Sequence, residues 1–293
     1  MLHELRLYAI VLRLAAMRPG AISRDHGDAA RGALIKIIEQ GDALLAQELH
    51  DANTHKPYTV SPVRGGKRGS DGALHFREGD SAEWRFSLLC EPAFESLLRR
   101  YLLNRNLPHV RIGAVTYAIV DAFASGIGHA DSGHTSVVEL TERWSCSPES
   151  LSRQIAFDFR SPTTFSRGKD EFTGRYRYCA WPEPRIVFSS LRKRWKDLGG
   201  LIPDDDFDGW IDKWVEIESF DLHQQKVIVE SRPIPCFTGQ VRYQVYGDGR
   251  WLPLMNLLAD LTFWTGAGYQ TPRGLGQVRR LKLEVQERID DGG

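Results

Sequence analysis

His50 and Lys56 are two residues of the segment AQELHDANTHK whose types could do chemistry. Histidine has an unperturbed pKa of about 6.5, so its ring can accept or donate a proton near neutral pH. His50 also ends a short predicted helix, where the helix dipole favours a histidine for structural reasons alone. His55 lies in the same segment and is the alternative proton carrier. The residues by themselves therefore favour a helix-terminal histidine over a catalytic one.

A glycine-rich loop, GAGYQTPRGLGQVRR, covers residues 266–280 and connects a helical pattern to a strand pattern. That order excludes a dinucleotide fingerprint, in which the glycines follow a strand and open a helix. A P-loop is also excluded, because its Gly-Lys-Ser/Thr motif is missing. Two interpretations stay open: a glycine C-cap with a bulged turn, and a backbone approached by a phosphate. The apolar alternation slips between Val278 and Leu281, which predicts a β-bulge.

The composition excludes several classes of protein. The chain has 293 residues, with 38 Lys plus Arg and 38 Asp plus Glu, so nucleic-acid binding would depend on local basic clusters. Its four cysteines form no C-x-x-C pair, which argues against a zinc ribbon or a disulfide scaffold and suits a reducing cytosol. No stretch approaches 18 apolar residues, so no membrane span is expected. We predict a soluble, cytoplasmic protein.

No metal or cofactor site is predicted. His129, Asp131 and His134 in the stretch SGIGHADSGH could be metal ligands, but their spacing and the glycines around them favour a flexible polar loop. Whether this stretch is an edge hairpin or part of a linker is left open.

The hydrophobic periodicities predict the order β-α-β-β-α-β twice. In the first half, LRLYAIVLRL alternates as a strand, HGDAARGALIKIIEQG has a helical stripe, ALHF and EWRFSLLC read as a paired hairpin, EPAFESLLRRYLLNRN is a helix and VRIGAVTYAIVDA is a strand. The second half repeats this order from RQIAFDFRSPTTF to QVRRLKLEV. The predicted fold is α+β, with two tandem ferredoxin-like (RRM-like) domains, residues 1–145 and 146–293, and a C-terminal glycine-rich loop.

Several segments, in this order, resemble a known family. They are LHDANTHKPYTVSP (Leu49–Pro62), FRSPTTF (Phe159–Phe165), and FTGQVRYQVYG leading into TGAGYQTPRGLGQV. Together with the tandem fold they are similar to the CRISPR-associated repeat-specific endoribonucleases of the RAMP superfamily, which process precursor CRISPR RNA. The resemblance covers nearly the whole chain.

The resemblance implies an activity and catalytic residues. It implies metal-independent cleavage within the repeat by the ribose 2′-hydroxyl, which leaves a 2′,3′-cyclic phosphate and a 5′-hydroxyl. His50 then stands at the position of the family's catalytic histidine, and Lys56 neutralises charge on the phosphate. Some members add a tyrosine on the first helix, but this chain has Ile35 at roughly that position. The upstream residues Ser23, Arg24 and His26 are alternative residues to assist catalysis in place of that tyrosine.

The resemblance also implies an RNA-binding surface. The family's paired-glycine loop contacts RNA through its backbone, where glycines permit positive φ and close approach. Arg167 lies at a strand end on the expected RNA side, although a plain turn fits there equally well. The expected RNA-binding residues are Gly266, Gly268, Arg273, Gly274, Gly276, Arg279 and Arg167.

The implied partner is CRISPR repeat RNA in a prokaryotic cytoplasm, with other effector-complex subunits and a second copy of the chain as open alternatives. Two rival functions remain. One is a catalytically silent RAMP protein that binds CRISPR RNA as a structural subunit, which has no need of the His50–Lys56 pair. The other is a general tandem RRM-like RNA binder, which is disfavoured because no aromatic-rich K/R-G-F/Y strand motif is present.

Overall fold

The computed structural model describes residues 5–51, 56–102, 109–202 and 206–282. His55, the alternative proton carrier, lies outside these residues. The elements of the first half are β1 (Arg6–Ala16), β2 (Gly20–Ile22), α1 (Gly27–Gly41), α2 (Ala43–Asp51), β3 (Tyr58–Val60), β4 (Arg64–Gly65), β5 (Lys67–Arg68), β6 (Leu74–Phe76), β7 (Ser81–Leu88), α3 (Glu91–Leu102), β8 (His109–Ile112), β9 (Val115–Phe123), β10 (Gly133–Ser136) and α4 (Val137–Arg143).

The second half follows a short 3₁₀ turn at Pro148–Ser150. Its elements are β11 (Gln154–Thr163), β12 (Phe165–Lys169), β13 (Tyr176–Cys179), α5 (Pro184–Asp197), α6 (Phe207–Trp214), β14 (Val215–Val229), β15 (Arg232–Val245), α7 (Leu252–Thr265) and β16 (Val278–Leu281). A 3₁₀ turn at Thr271–Arg273 lies within the glycine-rich loop. None of the described helices is long and apolar enough to cross a membrane.

The first sheet is antiparallel, in the order β3-β7-β1-β9-β8. The expected hairpin of ALHF with EWRFSLLC is wrong, because β6 pairs with β2 and β5 in a separate three-stranded sheet. The strand beside β7 is instead β3, whose three residues are all buried and therefore suit a sheet with both faces covered. The stretch VRIGAVTYAIVDA is a β8–β9 hairpin rather than one strand, and it turns at Gly113, whose φ of 59° favours glycine.

The stretch SGIGHADSGH ends in β10, which pairs with the first residues of β1. It therefore includes a strand of the first sheet and is not a plain linker. Asp131 within it is largely buried, with 15% of its side chain exposed, so the expected flexible polar loop is wrong at this residue.

The second sheet has the order β14-β15-β11-β16 and is also antiparallel. The register of β11 with β16 is continuous from Phe159↔Val278 to Ala156↔Leu281, so the expected β-bulge is absent. The slip in the apolar pattern arises because Arg280 occupies an inward position. Its guanidinium donates to the Asp260 carboxylate of α7 at 2.9 Å, which satisfies the charge there.

Two large hydrophobic clusters are joined through β1. Tyr8 and Ile10 pack in the cluster of the first half, under α1, whose predicted apolar stripe is buried. Leu7 and Ala9 point to the other face and pack in the cluster of the second half. The period of two along a strand thus places alternate residues of β1 in two cores. The helix α7 is buried on nearly all sides, which is typical of a helix enclosed between two layers.

The N-terminus of α1 packs directly against the glycine-rich loop. A Cβ added to Gly27 would lie 1.8 Å from the backbone oxygen of Arg273, whereas a Cβ at Gly32, in the same helix, would have no heavy atom within 4 Å. Only glycine therefore permits this approach of the first half to the loop of the second half.

We expect Gly27→Ala to lower the free energy of unfolding by about 1–3 kcal/mol, because the added methyl group would force the helix and the loop apart. Gly32→Ala is the matched control and should raise it by about 0.5–1 kcal/mol, since alanine loses less backbone entropy in a helix. Urea denaturation of both variants measures the difference. Equal stabilisation by the two substitutions would contradict the packing argument.

Candidate functional site

The end of α2 presents His50 to solvent and is fixed by Lys56. The Lys56 ammonium donates to the backbone oxygens of Leu49 at 3.0 Å and of His50 at 2.7 Å. These carbonyls belong to the last turn of α2, where intrahelical donors are missing. Lys56 therefore caps the turn that holds His50. Burial lowers the pKa of Lys56, and the nearby charge of Arg31 lowers it further.

Arg31 on α1 is a cation of this region that the sequence analysis missed. Its Nε donates to the hydroxyl of Tyr58 at 3.1 Å. Tyr58 is fully buried, so it cannot itself reach a substrate. Its hydroxyl instead positions Arg31. Ile35 is half-buried against the core, as its apolar side chain requires. In the sequence, Arg31 could be identified only from its position on the predicted helix α1, directly after the buried Ala30.

His26, an alternative helper in the sequence analysis, is a structural residue. It is buried, its Nε2 accepts from the Val63 amide at 2.8 Å, and its Nδ1 lies 2.8 Å from the Ser23 carbonyl. These contacts fit a neutral ring with the proton on Nδ1. Burial lowers the pKa of His26, which also favours the neutral form. No ring nitrogen is left for proton transfer.

Three of the four loop glycines are approached closely by the protein's own backbone. An added Cβ would lie 2.3 Å from the Gly276 oxygen at Gly266, 2.4 Å from the Thr164 oxygen at Gly268, and 2.0 Å from the Ala267 oxygen at Gly276. Gly274 differs, because its φ is 85° but the nearest atoms to an added Cβ are 3.6 Å away. Gly274 also lines a cleft between the two halves. The loop geometry thus has an intramolecular cause at all positions except Gly274.

The three arginines expected to bind phosphate already have carboxylate neighbours. Arg273 pairs with Asp28 at 3.1 Å and Glu230 at 2.6 Å, and only 14% of its side chain is exposed. Arg167, which is half-exposed, pairs with Glu183 at 2.6 Å.

Arg279 donates to the Ala130 carbonyl at 2.9 Å and lies over the Phe263 ring, 4.6 Å from its centroid. Its Nη1 is 3.3 Å from the Asp131 carboxylate without hydrogen-bond geometry. A phosphate would have to replace these partners or add to them.

The cleft has a volume of about 310 Å³, and its walls are strongly basic. Arg24 and Arg68 reach only neutral acceptors, the Gln225 side chain and the Gly72 carbonyl, both at 3.4 Å. Among the described residues neither forms an ion pair, so their charges are available to an anion. The arginines that line the cleft are Arg24, Arg64, Arg68, Arg160 and Arg273.

Asp131 contacts two arginines of this cleft, one from each half. Its carboxylate is 2.9 Å from Arg160 and 3.3 Å from Arg64, in addition to Arg279. Burial by itself would raise the pKa of the Asp131 carboxyl, but the surrounding arginines outweigh burial and hold the pKa below its usual value. The carboxylate is therefore ionised at neutral pH and stabilises the cluster.

Arg85 is a partly buried member of this cluster. It donates to the Asp131 carbonyl at 2.9 Å, to the Gln277 side chain at 2.9 Å and to the Phe263 carbonyl. Burial lowers the pKa of Arg85 to about 10, which leaves it charged at neutral pH. Gln277 in turn donates to the Val60 carbonyl at 3.0 Å, so one polar network connects the first half to the end of the glycine-rich loop.

Among the described residues, no group of three or more His, Cys, Asp or Glu side chains could hold a metal ion. In the stretch SGIGHADSGH, the Nδ1 of His129 accepts a hydrogen bond from the Asp131 amide, and its Nε2 lies 3.4 Å from the Glu83 carboxylate.

We expect Asp131→Asn to lower the free energy of unfolding at pH 7 by about 2 kcal/mol, because several partly buried arginines lose their counter-charge. The pKa of Asp131 is lower in the folded state, so this contribution should be present above the unfolded value of about 3.9 and fade as the pH falls below it.

The matched control is Asp121→Asn, which breaks a half-exposed pair with Arg13 and should change stability by about 0.5 kcal/mol or less. Urea denaturation from neutral to acidic pH measures both effects. A difference between wild type and Asp131→Asn that persists at low pH would contradict the electrostatic origin.

Comparison with known proteins gives one family. The family model described as CRISPR-associated endoribonuclease Cas6 matches residues 157–278. The CRISPR-associated endoribonuclease Cas6 of Mycobacterium tuberculosis is 25% identical over 137 residues, which are 46% of this chain and 41% of that protein. The match therefore spans less than half the length of this curated relative.

Solved structures match over almost the entire chain. A Cas6 protein in its product complex has a TM-score of 0.75 at 25% identity, covering 94% of this chain and 99% of that chain. Cas6 of Thermus thermophilus has a TM-score of 0.71 at 23% identity, covering 96% and 100%. The resemblance indicated by the motifs is thereby confirmed: the chain matches the Cas6 family over most of its second half and shares the α+β fold of Cas6 proteins over nearly its whole length.

Proposed function

We propose that this protein is a metal-independent endoribonuclease that cleaves precursor CRISPR RNA within the repeat. The observation that supports this most directly is the exposed His50 at a helix end that Lys56 caps, with Arg31 near the Lys56 ammonium. An acid/base group together with positive charge near the phosphate is what cleavage by a ribose 2′-hydroxyl requires. The proposed reaction class, RNA cleavage, comes from the matching family and relatives, which are named CRISPR-associated endoribonucleases.

In the proposed mechanism His50 exchanges the protons. It removes the proton of the 2′-hydroxyl or supplies one to the leaving 5′-oxygen, and the products are a 2′,3′-cyclic phosphate and a 5′-hydroxyl. An ammonium has three N–H groups, and Lys56 uses two of them on the carbonyls of α2. The third is available to the phosphate, so Lys56 both positions His50 and stabilises the developing charge. Arg31 adds a second positive charge near the Lys56 ammonium.

We further propose that the fold consists of two tandem ferredoxin-like domains, residues 1–145 and 146–293. The support is the strand order, since β9-β1-β7-β3 and β16-β11-β15-β14 repeat one arrangement. In both, the first strand (β1 or β11) lies between the third strand of the four (β7 or β15) and the fourth (β9 or β16).

The proposed RNA path runs through the basic cleft. Arg24 and Arg68 are its first phosphate contacts because they have no ion pair to break among the described residues. Gly274 offers backbone at the cleft wall, while Gly266, Gly268 and Gly276 hold the loop in shape. Arg273 in the cleft wall, Arg279 next to Asp131 and Arg167 on β12 contribute further positive potential. The proposed partner is repeat RNA in a prokaryotic cytoplasm, with other effector-complex subunits or a second copy as further partners.

The rival function is a catalytically silent RAMP protein that binds CRISPR RNA. One observation favours it: Lys56 already has two backbone acceptors and therefore has a structural role without any RNA. The two functions differ in their need for His50.

We expect His50→Ala to reduce single-turnover cleavage of repeat RNA by a factor of about 10²–10⁴, with RNA affinity nearly unchanged, because proton transfer is lost and phosphate contacts are not. His223→Ala removes a 79% exposed histidine elsewhere and should cleave normally. The assay contains EDTA and identifies the fragment ends. An active His50→Ala variant would refute the catalytic assignment, and wild-type protein that binds without cutting would favour the rival.

We expect Arg24→Ala and Arg68→Ala each to weaken RNA binding several-fold and to reduce the slope of log affinity against log salt by about 0.7, the value for one single-strand phosphate contact. Arg99→Ala removes the same charge from α3, where Arg99 pairs with Glu95, and should leave both quantities unchanged. Equilibrium binding at several salt concentrations measures them. Identical slopes for all three variants would exclude the cleft as the RNA path.

A further inference from the structure

The strands β12 and β13 form a two-stranded ribbon that stands apart from the larger sheets. Phe165 pairs with Cys179, Ser166 with Tyr178 and Lys169 with Tyr176. Most residues of both strands are exposed, and Phe172, in the turn between them, is 97% exposed. An isolated ribbon gains little stability from its own pairing, so its exposed side chains call for a second explanation.

Three tyrosines form a row that begins at the glycine-rich loop and runs out along the ribbon. The rings of Tyr269 and Tyr178 are 5.6 Å apart, and those of Tyr178 and Tyr176 are 6.4 Å apart with an interplanar angle of 29°. Tyr178 and Tyr269 pack on Val227, Ile234 and Leu275 and are thereby explained as core. Tyr176 is not explained in this way, because it is 45% exposed.

The inner end of the row is rigid and adjoins the cleft. The Tyr269 amide donates to the Thr164 carbonyl at 2.8 Å, and the partly buried Arg194 donates to the Gly268 carbonyl at 2.7 Å. Val227 and Leu275, which support the row, also line the cleft. A strand of RNA leaving the cleft at this end would therefore meet the tyrosine row next.

The ribbon has the charge that such a strand needs. Residues 165–179 contain four basic side chains against Asp170 and Glu171, and one of the four, Arg167, is paired with Glu183 outside the ribbon. Asp170 is engaged in the turn, where it accepts from the backbone and hydroxyl of Thr173. The exposed Lys169 ammonium lies over the Tyr176 ring, 5.2 Å from its centroid, so a base that stacks on this face displaces the ammonium, which stays close enough to meet a phosphate. The basic side chains of the ribbon are Arg167, Lys169, Arg175 and Arg177.

We infer that this ribbon is a platform for unpaired nucleotides of the bound RNA, with a base stacked on Tyr176 and its phosphates near Lys169. Aromatic side chains combined with a basic track bind single strands with little sequence preference, because every base has a π-face. The inference rests on the proposal that the chain binds RNA, but it does not depend on cleavage. It adds a contact by base planes to a cleft that offers mainly phosphate contacts.

The test compares two fluorescein-labelled probes of equal length, an oligoadenylate and an abasic ribose-phosphate chain, on the full chain at low salt. Tyr176→Ala should weaken oligoadenylate binding about tenfold, the effect of one lost stack, and leave the abasic probe unchanged. Tyr176→Phe should bind both probes like wild type, because the ring is retained. Tyr246→Ala, which removes a 48% exposed tyrosine at the end of β15, is the matched control and should have no effect.

Each other outcome is informative. Equal weakening of both probes by Tyr176→Ala would overturn stacking and assign the effect to electrostatics or folding. Unchanged affinity for both would overturn the platform and leave the ribbon to a protein partner. Because neither probe contains a CRISPR repeat, failure here with normal repeat cleavage refutes only the platform, whereas stacking without repeat cleavage refutes only the endoribonuclease.

Discussion

The carboxylate of Asp131 lies among arginines contributed by both halves of the chain and connects the two halves through them. Removing a guanidinium from water is costly unless anionic or carbonyl oxygens replace the lost hydrogen bonds. The backbone carbonyls of Asp131 and Phe263 and the Gln277 side chain supply those oxygens to Arg85. Because the carboxylates are fewer than the arginines nearby, the cleft beside this cluster keeps an excess of positive charge.

The helix α1 transmits this arrangement to the candidate catalytic group. Its first residue, Gly27, contacts the glycine-rich loop at Arg273, and one turn later Arg31 lies close to Lys56. Lys56 in turn holds the helix end that bears His50. The distance between the cleft and the histidine is therefore set by one rigid element, and both would respond to a shift of α1. In such an arrangement, small displacements at a distance from the chemistry can be expensive in rate.

The glycine-rich loop contains two kinds of glycine position that its sequence does not separate. Gly266, Gly268 and Gly276 are needed because backbone oxygens of the protein itself come too close for any side chain. Gly274 has the same kind of positive φ but faces the cleft. A loop that is packed tightly on one side can present its remaining backbone groups in a fixed geometry on the other. That is a favourable way to meet phosphate oxygens, because little ordering is left to be done on binding.

The sequence by itself determined the elements with strong local periodicity, the family resemblance and the exposed helix-terminal His50. The buried stripe of α1 and the order helix, loop, strand around residues 266–280 follow from local patterns, because a period of 3.6 or 2 requires no knowledge of distant residues. Local patterns misassigned the partner of β7 and the inward Arg280, since strand pairing and a buried ion pair depend on residues far apart in sequence. Only the tertiary structure decided which arginines have carboxylate partners among the residues that the structure describes. Arg273 and Arg279 have the same local signal as Arg24 and Arg68, but the fold brings carboxylates to the first two and leaves the other two facing the cleft.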